Sequence, residues 1–359
     1  MMPATEDELA GVIRGADGPL AVRGGGTRGV AGEGAVVSTA RLTGITLYEP
    51  GALTLVVRAG TPLAEVEAAL AAEGQRLAFE PCDLRTLLGT DGTPTIGGVV
   101  ATNASGPRRI QVGACRDHLL GVRFVDGAGN IVKNGGRVMK NVTGYDLVKL
   151  LAGSHGTLGV LTEVSLKVLP LPQAVATVQV TGLDDAQAVA AMSAALGSPY
   201  DATGAACVDS TVVVRLEGFG DSVDYRAKKL AGELARFGDA TIGEFDWQGL
   251  RDCRAFADRP GDVWRVSIRP SAMPATLAAL RAGGTVEVVA DWGGGLLWVL
   301  CDVGRELRAD LTSGHATRVR GDSAAIPRFH PEVAPVAALS AGLRRRFDPR
   351  GILNPGVMG

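Results

Sequence analysis

Apolar and polar positions follow two rhythms along this chain. In the first half, residues 20–25 (LAVRGG), 35–40 (AVVSTA) and 53–60 (LTLVVRAG) predict short strands, two of them running into glycine. Residues 61–74 predict a helix with Thr61 as N-cap and Pro62 at its first position. Leu63, Val66 and Leu70 form its buried stripe, and Gly74 is its stop. Residues 119–135 predict a hairpin turned at Asp126-Gly127. From 160 to 168, Val160, Thr162, Val164, Leu166 and Val168 fall on one face and Glu163, Ser165 and Lys167 on the other, which predicts a half-buried strand. "LPLPQ" (169–173) reads as a linker.

The second half repeats a strand–helix–strand–strand–helix–strand order. The first pass predicts strands at 174–182, 203–209, 211–218 and 240–245, with helices at 184–197 and 222–238. After a helix at 247–258, the second pass predicts strands at 262–270, 285–291, 294–302 and 315–321, with helices at 272–284 and 304–314. This rhythm predicts an antiparallel sheet covered by helices, built from two ferredoxin-like halves. A turn-rich tail, "FDPRGILNPG" (347–356), is expected to be held by other parts of the molecule.

Bulk properties narrow the function classes. At 359 residues, two domains are expected. The 50 glycines show no collagen-like period, so they act as local punctuation. A net charge of -2 argues against nucleic acid as the main partner. The first residues, "MMPATEDELAGVIRG", lack the apolar core of a signal peptide, and no apolar run is long enough to span a membrane. Cys82, Cys115, Cys207, Cys253 and Cys301 are scattered, with no C-x-x-C pair, which fits a reduced cytoplasmic protein without a disulfide framework or a cysteine-held cluster.

Three small-residue clusters carry the candidate chemistry. "GGGTRG" (24–29) satisfies G-x-G-x-x-G, but a glycine-rich stretch and a strand follow it where a dinucleotide fold requires a helix. It therefore reads either as a plain glycine hairpin or as a phosphate nest, flanked by Arg23 and Arg28. "TPTIGGVVATNASGPRR" (93–109) reads either as a tightly packed helix or as backbone lining a flat ligand. "GSHGTLGV" (153–160) sheds nearly all side-chain volume immediately before a strand.

These segments, together with "KNVTGYDLVKLLAGSHGTLGVLTE" and the tail "FDPRGILNPG", resemble the FAD-dependent oxidoreductases of the vanillyl-alcohol-oxidase or PCMH type, and within them the E subunits of bacterial glycolate oxidases. The resemblance is dense over the first 170 residues and the tail, and weaker between. It implies an α+β protein with a PCMH-type FAD-binding domain of two α/β subdomains at 1–172, a cap at 173–332, and a C-terminal helix and tail at 333–359 returning to the FAD domain. By resemblance, Arg23, Gly24, Gly25, Gly26, Thr27 and Arg28 hold the pyrophosphate. Thr95, Ile96, Gly97, Gly98, Ala101, Asn103, Ser105 and Gly106 line the ribityl chain and flavin. Gly153, Ser154, Gly156, Thr157, Gly159 and Val160 lie along the ring, with Pro81 and Asn354 nearby. Lys140, Asn141, Tyr145 and Asp146 are expected as structural neighbours of the cofactor. Relatives with covalent flavin carry His in the first loop or Cys in the second. Neither occurs here, so non-covalent FAD is expected.

The family chemistry calls for a cationic clamp for a carboxylate and a base for the hydroxyl proton. The histidine-rich cap motif of related 2-hydroxy-acid dehydrogenases is missing. Arg265, Arg269 and His315 are the catalytic candidates, with Arg318 and Arg320 a second arginine pair of the same spacing and no metal site expected. His155 either tunes the ring or points to solvent, and His118 and His330 read as surface residues. The expected function is the FAD subunit of a glycolate oxidase complex, acting on a small 2-hydroxy acid. Its expected partners are a second FAD subunit and an iron–sulfur subunit, with any attachment to the inner face of the membrane running through them. The alternative is a flavin-bearing electron-transfer and scaffold subunit without catalysis of its own.

Overall fold

The computed structural model describes residues 1–30, 32–137 and 144–358. The chain divides into two compact units. The first comprises Met1–Ser105, Gly113–Leu171 and Pro331–Gly359, and the second Gly106–Val112 and Pro172–His330. The sequence reading kept 106–112 with the first domain. The structure groups it with the second because Arg108 donates from Nε to Glu217 Oε2 at 2.8 Å, and both side chains are buried.

The first unit begins with helix α1 (Glu6–Arg14), which the sequence reading did not anticipate. Its signal is local. Thr5 is the N-cap and accepts from Glu8 N, while Leu9, Ala10 and Ile13 form one buried stripe. Strands β1 (Leu20–Arg23) and β2 (Ala35–Ser38) pair in parallel. The tail lies along the other edge of β1, where Leu20 N donates to Ile352 O at 2.7 Å. Leu9, Ile13, Leu20, Val37, Ile352 and Leu353 bury together there. Each buried leucine or isoleucine is worth roughly 1.5–3 kcal/mol, so this shared core is what holds the tail.

An antiparallel five-stranded sheet forms the rest of the unit. Its strands are β3 (Ile45–Glu49), β4 (Thr54–Arg58), β5 (Leu119–Val125), β6 (Ile131–Gly135) and β7 (Val160–Lys167), in the order β3-β4-β7-β5-β6. The hairpin β5–β6 turns at Asp126, whose carboxylate accepts from Ala128 N and Asn130 N. β7 is more buried than its alternation predicts: Leu161 and Ser165 are enclosed too, because the strand is the centre of five. Helix α2 runs Leu63–Ala72 with Pro62 at its N-cap position, not Thr61. The Thr61 hydroxyl instead accepts from Gly44 N at 2.9 Å, tying the helix start to the chain before β3.

The second unit is one eight-stranded antiparallel sheet. Its first four strands are β8 (Ala174–Thr181), β9 (Ala202–Val208), β10 (Thr211–Gly218) and β11 (Asp239–Gly243). The second four are β12 (Asp262–Ser267), β13 (Val286–Asp291), β14 (Leu296–Cys301) and β15 (His315–Arg320). The order is β11-β8-β10-β9-β13-β14-β12-β15, so each half has its fourth strand outermost and the halves meet at β9 and β13. Helices α3 (Asp185–Leu196), α4 (Gly220–Leu234) and α5 (Met273–Ala282) bury Met192, Leu230 and Leu277 in the core of this sheet.

The two halves are not equivalent. The helix expected at 304–314 is only a 3-10 turn, Leu307–Asp310. The helix expected at 247–258 is split, because Cys253 takes φ +54° between Trp247–Arg251 and Arg254–Phe256. Among the described residues no helix is long and apolar enough to cross a membrane.

Candidate functional site

All three small-residue clusters meet in the first unit, around one half-open cleft. The end of β1 and the following loop supply Val22, Arg23, Gly24, Gly25, Gly26, Thr27 and Arg28. The short helix Ile96–Ala101 with its N-cap Thr95 supplies Thr95, Gly97, Gly98 and Ala101. The loop into β7 supplies Ser154, His155, Gly156, Gly159 and Val160. Part of 93–109 is a packed helix, Ile96–Ala101, and that helix walls the cleft.

The loops support one another through main chain. Gly153 N donates to Val100 O at 3.1 Å and His155 N to Ala101 O at 2.9 Å, so the 153–156 loop hangs from the end of the short helix. Gly97 N donates to Ala59 O at 2.8 Å. At Gly25 a Cβ would stand 1.5 Å from the carbonyl oxygen of Thr93, so the first loop and the segment before the helix touch backbone to backbone. Part of the demand for small residues thus comes from loop against loop, not from a ligand alone.

A family model described as "FAD binding domain" matches residues 1–135. Glycolate oxidase subunit GlcE of Escherichia coli is 37% identical over 347 residues, which cover 95% of this chain and 92% of that protein. The chain belongs to the FAD-binding PCMH-type oxidoreductases. A D-lactate dehydrogenase of Archaeoglobus fulgidus is 33% identical over 177 residues, 47% of this chain and 38% of that protein. Among solved structures, an alkyldihydroxyacetonephosphate synthase superposes with a TM-score of 0.71 at 18% identity, covering 99% of this chain and 75% of that one, and shows the shared fold.

The cleft fits the cofactor of this family. Val22, Val30, Ala59, Ala101, Val160 and Leu161 give it apolar walls for a flat ring, while Arg23 and Arg28 bring positive charge to the loop expected to hold phosphates. Arg28 is braced from below, donating from Nη1 to Cys82 O at 2.6 Å. That contact is how the "FEPCD" segment reaches the site. Pro81 itself is buried and does not line the cleft.

Other expected site residues lie elsewhere. Ile96 turns its side chain wholly into the core. Asn103 takes φ +49° and accepts from Arg116 N, and Ser105 Oγ accepts from Cys115 N, so both brace the loop behind the helix. Gly106 belongs to the second unit. Gly153 and Thr157 shape the 153–160 loop without lining the cleft; Thr157 donates to Ser154 O at 2.7 Å. Tyr145 is exposed, and Asp146 caps Leu147–Leu151. Lys140 and Asn141 lie outside the described residues. Thr102, within the expected 95–106 lining, lines the cleft too, whereas Val22, Val30, Thr39, Ala59 and Leu161 carry no local signal of their own in the sequence.

The second unit of this FAD-family chain carries a separate cationic cluster. Trp292, at φ +53° after β13, has the Arg109 guanidinium 4.4 Å and the Arg265 guanidinium 4.9 Å from its ring centroid. The indole Nε1 donates to Gly106 O at 3.1 Å, which ties the 106–112 segment to the cluster. On β15, His315 stands diagonally across from Arg265 on the same face of the sheet, since Ser267 pairs with His315 and Arg265 with Thr317. Partial burial, then the charges of Arg265, His330 and Arg109, hold the His315 imidazole below its ordinary pKa.

The remaining candidates fall outside this cluster or serve the fold. Arg269 does not share a strand with Arg265. β12 ends at Ser267, and Arg269 is exposed at the start of the 3-10 turn Pro270–Ala272. Arg318 donates to Ser323 O and Ile326 O, and Arg320 to Gly261 O, Phe256 O and Ala257 O, so this second pair ties down loops. His330 is half-buried, with Nδ1 accepting from Ala316 N at 3.3 Å. His118 is buried against Phe79, at 5.4 Å between centroids. Both had been read as surface residues, because sequence spacing says nothing about ring contacts from distant segments. Among the described residues no group of three or more His, Cys, Asp or Glu converges as a metal set.

Proposed function

We propose that this chain is the flavin-bearing E-type subunit of a glycolate-oxidase complex and that it oxidises a small 2-hydroxy acid, glycolate foremost. The observation that carries the proposal is the 37% identity to glycolate oxidase subunit GlcE over nearly the whole of both chains. FAD in the glycine-lined cleft would supply a two-electron acceptor. Arg23 and Arg28 would face its phosphates, and the 153–160 loop its ring system. No cysteine is among the described residues lining the cleft, which supports non-covalent attachment.

In the second unit, Arg265 and Arg109 would receive the substrate carboxylate, with the indole of Trp292 holding both guanidinium planes. His315, at the exposed end of β15 with its pKa lowered by partial desolvation and by the charges of Arg265, His330 and Arg109, would accept the hydroxyl proton. Electrons would pass to partner subunits, a second flavin chain and an iron–sulfur chain, and any membrane attachment would run through them.

A second reading, a flavin electron-transfer and scaffold subunit, is favoured by the dispersal of the candidates: of Arg265, Arg269 and His315, only Arg265 and His315 share a neighbourhood. Anaerobic addition of glycolate to the isolated, FAD-loaded chain separates the two. Bleaching of the visible flavin bands supports catalysis by this chain. Bands that stay unchanged until partner subunits are added establish the relaying role. Acid precipitation that leaves the yellow colour in the supernatant establishes non-covalent FAD.

A further inference from the structure

Asn354, expected near the flavin, lines the cleft, and its bonds give it a further task. The residue sits in the tail at φ +46° and is 4% exposed. Its Oδ1 accepts from Val22 N at 2.7 Å, and its Nδ2 donates to His155 O at 2.8 Å. Val22 is the last residue before the Arg23–Arg28 loop, and His155 is the centre of the 153–160 loop. One side-chain amide therefore bridges the two glycine-rich walls of the cleft from a third, C-terminal segment.

The surroundings hold that amide in place. Asn354 N donates to Leu20 O at 2.9 Å, extending the pairing of the tail with β1. Leu353 N donates to Asp348 Oδ2 at 2.7 Å. Both neighbouring glycines leave room for it: a Cβ at Gly32 would stand 2.5 Å from Asn354 Oδ1, and one at Gly156, itself at φ +75°, would stand 2.9 Å from Nδ2. An amide is the side chain that offers an acceptor on one branch and a donor on the other, and asparagine is among the few non-glycine residues that readily enter the left-handed region.

We infer that Asn354 is a positioning residue that sets the separation of the two cofactor loops through Val22 N–H and the His155 carbonyl, so that the C-terminal tail controls the affinity for FAD. The inference rests on the reading that the cleft holds FAD. It predicts that cofactor loading and tail docking are linked. Bound FAD would then protect the tail from carboxypeptidase relative to the apoprotein.

The test is titration of FAD into apoprotein of the wild-type chain and of two variants, followed by flavin fluorescence quenching and by visible circular dichroism of the bound flavin. Asn354→Gly keeps the left-handed backbone and removes both bonds; it is expected to raise the Kd for FAD about tenfold or more, the loss of one to two hydrogen bonds. Its apoprotein melting temperature should stay near that of the wild type. Asn354→Asp keeps the acceptor for Val22 but sets a carboxylate oxygen against the His155 carbonyl. It is expected to bind FAD as weakly as Asn354→Gly at pH 8 and to recover part of the affinity only as the pH falls toward about 4, where the carboxyl group takes up the proton it needs to donate.

Unchanged Kd and unchanged flavin dichroism in Asn354→Gly would overturn the inference. If Asn354→Gly lowers the melting temperature of the apoprotein, the pH response of Asn354→Asp relative to wild type decides instead, and equal pH responses of the two proteins would overturn it. A wild-type chain that takes up no FAD would fail the functional reading itself, a result distinct from either outcome.

Discussion

The cleft of the first unit and the cationic cluster of the second are built by opposite means. The cleft is made of main chain and small side chains, with glycine at 24–26, 97, 98, 156 and 159, and its shape depends on loops that touch through carbonyls and amides. The cluster is made of long side chains: Arg109 from the short helix Arg109–Val112, Trp292 from a 3-10 turn, and Arg265 and His315 from neighbouring strands of a regular sheet. The main-chain site leaves no room for a Cβ at Gly24, Gly25, Gly97, Gly156 or Gly159, whereas a side-chain site can be emptied without moving its scaffold.

Substitutions sharpen that contrast, beginning with the largest expected effect. Gly25→Val should abolish FAD uptake, because its Cβ would meet Thr93 O at 1.5 Å and the two loops must separate. A strain of about 3 kcal/mol or more, roughly a hundredfold or greater in affinity, is expected and is measured by fluorescence titration. Full FAD affinity in this variant would refute a cleft built by loop-to-loop contact.

Next comes the buried pair that joins 106–112 to the second sheet. Arg108→Met leaves the Glu217 carboxylate without its close partner in a buried site, although Arg215 Nε stands 4.0 Å away. A loss of about 3–5 kcal/mol in chemical denaturation is expected, with FAD affinity changed far less. Equal losses of stability and cofactor would break the distinction between the two units.

Arg265→Ala and Arg109→Ala should each lower kcat/KM for a 2-hydroxy acid by roughly ten- to a hundredfold, the loss of one charge-assisted contact, while the flavin stays bound and the protein folded. Arg265→Lys should recover little, since an ammonium does not stack on Trp292 as a guanidinium does. A clamp variant with normal kinetics would leave the relaying role as the surviving reading.

The smallest effects are in pH. His315 has its folded pKa held below the ordinary 6.5 by burial and by Arg265, His330 and Arg109. The unfolded chain therefore binds the proton more tightly, and this residue costs stability as pH falls through and below 6.5. A chemical-shift titration of His315 should show a midpoint below 6.5 that rises in Arg265→Ala.

Glu6 has the opposite sense of ionisation. Its hydrogen bond to Arg123, the leading cause, and another to Thr162 hold its carboxyl below 4.5. The stability it contributes is present above that value and fades as pH drops through the folded pKa. Thermal scans between pH 7 and pH 3 should show a slightly shallower decline for Glu6→Gln than for the wild type.

Much of the fold and part of the site can be read from the order of residues. The strands of the second unit follow from β-type runs separated by helical ones, and their order from the doubled rhythm. The three loops of the cleft are legible because glycine and alanine leave a local mark wherever backbone must approach something closely. Local pattern fails where a long-range contact sets the outcome. The short 3-10 turn at 307–310 replaces a helix that periodicity favours. Likewise Arg318 and Arg320 look like a clamp until the loop carbonyls that receive them are placed.

The sequence by itself therefore determined the two-unit plan and the small-residue segments that line the cleft, since these depend on side-chain size and periodicity over a few neighbours, and the likeness of its motifs pointed to the family. Only the tertiary structure decided that Asn354 bridges Val22 and His155 and that Arg109 shares Trp292 with Arg265. It alone likewise placed Arg269 apart from them, at an exposed turn. Each of these turns on which groups from distant parts of the chain arrive within hydrogen-bond or stacking distance, and that is fixed by the packing of whole elements rather than by any local run of residues.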